Sequence, residues 1–397
     1  MKTFFQIINI IQIIIFVYLS ISSLYFFIFS FASLFTRKKT FPKSEKKLKF
    51  AILIPGYKED NVIVDVAKNA LKQNYPHNLF DVVIIADSFK SETLAELKKL
   101  PIITIEVAFK KSTKSKALNK AMSQLTKDYD VAIILDADNI MEQDFIEKIN
   151  NAMLAGNTII QGHRTAKNLN SSFAILDAVS EEMNNNIFRK GHRNLGLSSA
   201  IIGSGMAFKY DFFKALMKNI TAVGGFDKEI ELKVLKDRYK IEYLENAYVY
   251  DEKVQKSEVF SNQRRRWLSA QIHYFRKDFL NALWHLLSKG NIDYFDKALQ
   301  FILPPRILLI GILFIICIFS LFLNPVSFTI VWLITLTVCI ITFLFSIPKK
   351  FYNLKTLKAI LSLPKGFILM LLSLLNIKGA NKKFIHTEHS NINEDKK

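Results

Sequence analysis

Two short stretches carry most of the chemistry this chain offers. Asp136 and Asp138 flank Ala137 at the end of the apolar run VAIILDAD. Carboxylates two apart on an extended chain project to the same side, so this pair can share one hard cation; Mg2+ and Mn2+ favour such oxygen ligands. Aspartates at strand ends also cap following helices, and the pair alone leaves both uses open. The second stretch is SNQRRRWLSAQ, residues 261–271, which holds Gln263, Arg264, Arg265, Arg266 and Trp267. Such a cluster suits a lipid-facing anchor, a solvated helix face, or a grip on an anionic or sugar-like ligand.

The elements around them narrow the choice. From Lys49 onward, KFAILIP, FDVVIIAD, PIITIEVAF and VAIILDAD are continuous apolar runs of strand length, and DNVIVDVAKNALKQN, SETLAELKKL and KSKALNKAMSQLTKD between them have helical spacing. Strands apolar on both faces and separated by helices predict a parallel sheet covered on both sides, an α/β Rossmann-like domain. Ligands of such sheets bind at the carboxyl ends of the strands. Here those ends read IPGYKED, Asp87 and the Asp136–Asp138 pair.

Membrane segments bracket that body. Residues 4–35 carry no charge and are followed by RKKTFPKSEKKLK, which predicts a retained transmembrane helix rather than a cleaved signal. Ile307 to Leu323 and Val326 to Ile347 flank Asn324-Pro325 and predict a helical hairpin. A shorter apolar stretch, Gly366 to Ile377 between Lys365 and Lys378, reads as interfacial or re-entrant. Lysines and arginines cluster after the first span and in PKKFYNLKTLK after the third, so both segments are expected in the cytoplasm. The N-terminus and the Asn324-Pro325 turn then lie outside, and the body between spans is cytosolic.

A net charge of +19 suits a body pressed against anionic lipid or one that binds phosphates, and a membrane-tethered chain has little use for nucleic acid. The two cysteines, Cys317 and Cys339, fall inside predicted spans, so neither a disulfide framework nor a zinc pattern is available.

In motif order, residues 50 to 270 resemble the membrane-bound family 2 glycosyltransferases, the group of cellulose, chitin, hyaluronan and poly-N-acetylglucosamine synthases. The resemblance implies a GT-A domain inserted between transmembrane helices. It gives Pro55, Tyr57 and Glu59 to the nucleotide base, Asp87 to the uracil, and Lys114, ahead of Ala117-Leu118-Asn119, to the diphosphate, with Lys116 second. Asp136 and Asp138 match the DxD pair that binds nucleotide and metal, Mg2+ or Mn2+. Gln263, Arg266 and Trp267 match the QxxRW motif that holds acceptor and diphosphate. An arginine fork fits phosphate oxygens and a tryptophan face fits a sugar ring; a basic juxtamembrane anchor accounts for Arg264 and Arg265.

The chain departs from that family at the catalytic base, usually an aspartate in a Glu-Asp sequence. Here the region reads GGFDKEIELKVLKDRYKIEYL. Alignment favours Glu229, with Asp227 as the rival and Glu231 at the next acidic position. Gly203-Ser204-Gly205-Met206 resembles the turn beneath the acceptor, or is a plain connection. His163 and His273 read as structural or surface residues, and His386 and His389 sit in a basic tail that could close over the site.

The expected domains are an anchor at 1–36, a GT-A domain at 48–258, interfacial helices with QRRRW at 259–305, a hairpin at 306–347, and an interfacial segment with a cytosolic tail at 348–397. The expected activity is inverting transfer from a UDP-sugar to a polysaccharide or glycan acceptor at the cytosolic face of a bacterial inner membrane. Single transfer to a membrane lipid, as in ceramide glucosyltransferases, is the alternative. The bilayer and accessory export or polymer-handling proteins complete the expected partners.

Overall fold

In the computed structural model, residues 2–35, 40–222, 224–253, 257–323 and 325–377 are described. His386 and His389 lie outside them, as does Asn324. The apolar runs form one eight-stranded sheet, ordered β3-β2-β1-β4-β7-β6-β8-β5. Its strands are β1 (Phe50–Tyr57), β2 (Phe80–Asp87), β3 (Ile103–Val107), β4 (Val131–Ile134), β5 (Ile140–Met141), β6 (Ile159–Ala166), β7 (Met206–Lys209) and β8 (Ile241–Asp251). The first four pair in parallel, as the sequence predicts. The sheet as a whole is mixed, because β7 runs antiparallel to β4 and β6, and β5 antiparallel to β8. Its two faces are buried in separate apolar clusters, one around Leu53, Leu118 and Phe208, the other around Ile52, Ile84 and Phe145.

The helices that matter for the site are α1 (Lys2–Leu34), α2 (Lys114–Gln124), α3 (Ser172–Asn184), α4 (Phe226–Lys236), α5 (Ser257–Lys289), α6 (Ile292–Gln300), α7 (Arg306–Leu323), α8 (Val326–Ser346) and α9 (Leu363–Leu375). Among the described residues, three helices are long and apolar enough to cross a membrane: α1 over Ile10–Leu34, α7 and α8. Leu354–Ile360 and α9 meet at 48°, a broken span or a re-entrant loop by length and composition. Small polar side chains let the three spans approach closely. Ser30 Oγ donates to the Thr342 carbonyl at 2.8 Å, and the Ser320 and Thr329 hydroxyls lie 3.0 Å apart.

Helix α1 is also fixed to the sheet domain. Its Tyr25 hydroxyl donates to Asp296 of α6 at 2.7 Å and lies 3.0 Å from His192 Nε2. The Phe29 ring stacks on His192 with centroids 3.6 Å apart. A π-helical segment, Asn185–Gly191, leads into His192. Gly191 approaches α1 so closely that a Cβ there would lie 2.1 Å from the Phe29 carbonyl oxygen. Only glycine fits that crossing.

Candidate active site

Strand β4 ends at Ile134, before the aspartates, and the Asn139 N–H donates to the Asp136 carbonyl at 3.1 Å. The Asp136–Asp138 pair therefore sits in a tight turn rather than on an extended chain, a correction to the strand-end picture. The turn is fixed from behind by Gly203-Ser204-Gly205. Ser204 Oγ accepts the Asp136 N–H at 2.9 Å and donates to Asn139 Oδ1. Asn139 Nδ2 in turn donates to Asp138 at 3.1 Å and Asp251 at 2.9 Å. Gly203 and Gly205 have φ of +82° and +62°, backbone that side chains rarely adopt.

Lys114 and Asp227 meet at Gly203, and Asp136 is tied to them through Lys114. Lys114 opens α2, and its ammonium donates to Asp136 and to the Gly203 carbonyl, the latter at 2.7 Å. The same ammonium lies 5.5 Å from the Phe226 ring centre. A Cβ built on Gly203 would be 3.7 Å from Asp227 Cβ and 4.0 Å from Lys114 Nζ. Arg266 interacts electrostatically with both acids: burial lowers its pKa, while the charges of Asp136 and Asp227 pull it back up. Lys116 turns away and donates to the Lys111 carbonyl at 2.9 Å.

The three acidic residues of α4 go to three places. Glu229 is buried, and its carboxylate accepts the backbone N–H groups of Thr221 and Ala222 at 3.2 and 2.8 Å. Lys233 lies 3.4 Å from it. Glu231 is buried against Lys297 of α6 at 2.8 Å, and burial raises its pKa despite that partner. Asp227 alone stands beside Gly203 and Lys114.

Tyr57 and Asp87 are register partners at the carboxyl ends of β1 and β2. Just beyond each, Lys58 and Ser88 take φ of +56° and +61°, so both strands end in sharp turns. Asp87 is buried and accepts from the Ser88 hydroxyl at 3.0 Å. Pro55 lies half-buried in β1, and the Glu59 carbonyl accepts the N–H groups of Val62 and Ile63 as the next helix starts. At Gly56 a Cβ would lie 2.7 Å from the Phe89 ring and 3.6 Å from Ala137 Cβ, so the β1 end abuts the Asp136–Asp138 turn.

The QRRRW stretch lies on α5. Arg264 is ion-paired with Asp177 of α3 and stacked between Phe260 and Trp267, 4.7 and 4.4 Å from the ring centres. These contacts build it into the protein, and it covers one face of the half-buried Trp267. Gln263 Oε1 and Arg265 Nε are buried without a hydrogen-bond partner among the described residues.

The sequence reading missed an ionic layer between the turn and the membrane helices. Arg164 reaches Glu181 at 2.8 Å and Asp251 at 3.7 Å, and Lys253 reaches Asp251 at 2.7 Å. Burial would raise the Glu181 pKa, yet Arg164, Lys253 and Arg189 hold it well below the ordinary range. His163 is structural, 2.9 Å from Glu182 and 3.1 Å from the Glu245 carbonyl. His273 is exposed, its ring edge-on to Tyr274. The signal for this layer lies in pairing across long sequence separations, which no local pattern marks.

Comparison with known proteins places this geometry. Residues 48–270 match the profile of the family described as glycosyltransferase like family 2. No curated protein matches the sequence. Among solved structures, the mannosyltransferase PcManGT from Pyrobaculum calidifontis, in complex with GDP-Man and Mn2+, is similar at 15% identity and a TM-score of 0.51, covering 81% of this chain and 94% of its own. TarS 1-349 of S. aureus with UDP-GlcNAc is similar at 15% identity and a TM-score of 0.40, over 84% and 92% of the two chains. The mixed sheet, with its charged turn at the ends of the parallel strands, is a GT-A fold flanked by apolar helices, and the chain belongs to glycosyltransferase family 2.

Proposed function

We propose that this glycosyltransferase moves a sugar from a nucleotide diphosphate, UDP in the first instance, to a hydroxyl of a growing polysaccharide or glycan at the cytosolic membrane face, with inversion. The observation that carries the reading is the meeting of Lys114 and Asp227 at Gly203, with Asp136 bonded to Lys114 and Arg266 coupled electrostatically to both acids. Tyr57, Pro55, Glu59 and Asp87 line the neighbouring strand ends, where a nucleoside would lie. The GDP-Man and UDP-GlcNAc held by the two similar structures are in keeping with such a donor.

The residues fit a divalent cation, Mg2+ or Mn2+, in one way. No group of three or more metal-binding side chains exists among the described residues, so Asp136 and Asp138 offer a two-carboxylate seat. Asp136 and Asp138 would hold a hard cation such as magnesium through their oxygens. Such a cation would neutralise diphosphate charge.

The chain's own groups supply the rest. Lys114 and Arg266 offer N–H donors to the departing diphosphate, in a setting where burial strengthens each contact. Asp227 is the general base that takes the acceptor proton. Glu229, the first choice on alignment, spends its carboxylate on the amides of Thr221 and Ala222. Gln263 and Trp267 present the acceptor from α5.

A donor screen tests the reading. Purified protein in detergent is offered UDP- and GDP-sugars with Mn2+, nucleotide release is followed, and the product is partitioned between water and organic solvent. Release with one donor supports the transfer. No release with any donor, despite tight nucleotide binding, would sink it, and product held in the organic phase would move the acceptor to a membrane lipid.

A further inference from the structure

We infer that Arg306, Arg264 and Lys365 form a binding site for the phosphate head group of a membrane lipid, beside the transfer site but separate from it. Arg306 opens α7, one of the helices apolar enough to cross a membrane, so its guanidinium sits at the level where lipid phosphates lie. It donates to the Ser180 carbonyl and hydroxyl, both at 2.9 Å, through Nη2. Its Nη1 is buried and makes no hydrogen bond among the described residues, and the same holds for Arg264 Nε.

The three cations share one small region. Arg264 and Arg306 are electrostatic neighbours. A Cβ on Gly366 would lie 2.9 Å from Ile307 Cδ1, which brings Lys365 and Arg306 to adjoining positions on α9 and α7. The Lys365 ammonium lies 5.6 Å from the Phe173 ring centre. Phe173 in turn packs 5.7 Å from Phe260, on which Arg264 stacks.

Charge is not balanced there. Glu181 faces Arg306 but already answers Arg164, Arg189 and Lys253. Asp177 is the one carboxylate in contact with Arg264, and no carboxylate pairs with Arg306 or the exposed Lys365 among the described residues. Buried guanidinium N–H groups without acceptors, beside an excess of positive charge, are the complement of a phosphate. Arg264 and Arg266 are two apart on a helix and so project to roughly opposite sides, which keeps this site off the donor cluster.

Native mass spectrometry of the full chain, released from phosphatidylcholine nanodiscs doped with phosphatidic acid, tests the assignment. One phosphatidic acid should be retained per chain in preference to phosphatidylcholine. Arg306→Gln, which keeps a donor for Ser180, and Lys365→Gln should each lower retention by roughly tenfold, the effect of losing one charge-assisted bond. Nucleotide binding should stay unchanged in both, so failure here is distinct from failure of the transferase reading. Lys365 is exposed, and its variant carries the test if Arg306→Gln does not fold. Equal retention by wild type and variants, or no preference for phosphatidic acid, overturns the site. Displacement by millimolar inorganic phosphate overturns the lipid as its source.

Discussion

Replacing Asp227 by asparagine removes a proton acceptor while keeping size and hydrogen bonding. If Asp227 is the general base, turnover should fall about 10²- to 10⁴-fold, or about 3–5 kcal/mol on the barrier, with donor KM and nucleotide affinity little changed. Glu229→Gln perturbs something else. The Glu229 carboxylate accepts two loop amides, at 3.2 and 2.8 Å, and a glutamine carbonyl keeps an uncharged version of those bonds. Exchanging charge-assisted for neutral acceptance costs about 1–2 kcal/mol, a fall of a few degrees in melting temperature. Its turnover should stay within about threefold of wild type, since only loop order is disturbed. Stopped assays of nucleotide release, paired with melting curves in detergent, separate the two effects. An inactive, thermally normal Glu229→Gln beside an active Asp227→Asn would refute the assignment and restore the alignment-based choice. Comparable mild losses in both would leave neither as the base.

Three further outcomes follow from other parts of the molecule. Asp138→Ala should abolish cation-dependent nucleotide binding, and Asn139→Ala, which loses the donor to Asp138, should weaken Mn2+ affinity about 10- to 100-fold; undiminished binding in EDTA would contradict both. Gly191→Ala drives a methyl into the Phe29 carbonyl and should lower stability by about 1–3 kcal/mol, seen as a lower melting temperature in detergent with nucleotide contacts intact. Burial alone would raise the Glu182 pKa, but the bonds from His163, Lys350 and Thr165 hold it at about 2 against an ordinary 4.5. That depressed carboxylate stabilises the fold fully above about pH 4.5 and loses up to roughly 3 kcal/mol as pH falls toward 2; Glu182→Gln should flatten this part of the stability curve.

The strands that carry the site were legible because each is apolar on both faces and leads into a chemically distinct residue. The membrane helices were legible from length and lack of charge. Local pattern could not show that Asp136 and Asp138 share a turn, because Ser204, about seventy positions away in the chain, supplies the hydroxyl that shapes it. Nor could it rank Asp227, Glu229 and Glu231. On a helix, residues two apart point in nearly opposite directions, so motif spacing does not reveal which one meets Gly203. The reversed strand β7 was hidden for a related reason: its four residues, Met206–Lys209, look like any short apolar run.

The joint between α1 and the sheet domain has a mechanical consequence. Tyr25, Phe29, His192 and Asp296 interlock, and Gly191 leaves no gap at the crossing, so the joint has little slack. A helix in a bilayer of unmatched thickness answers by tilting. A stiff joint of this kind would pass that tilt on to the sheet domain as a rotation. Bilayer thickness would then bear on how the sheet domain is oriented beside the membrane.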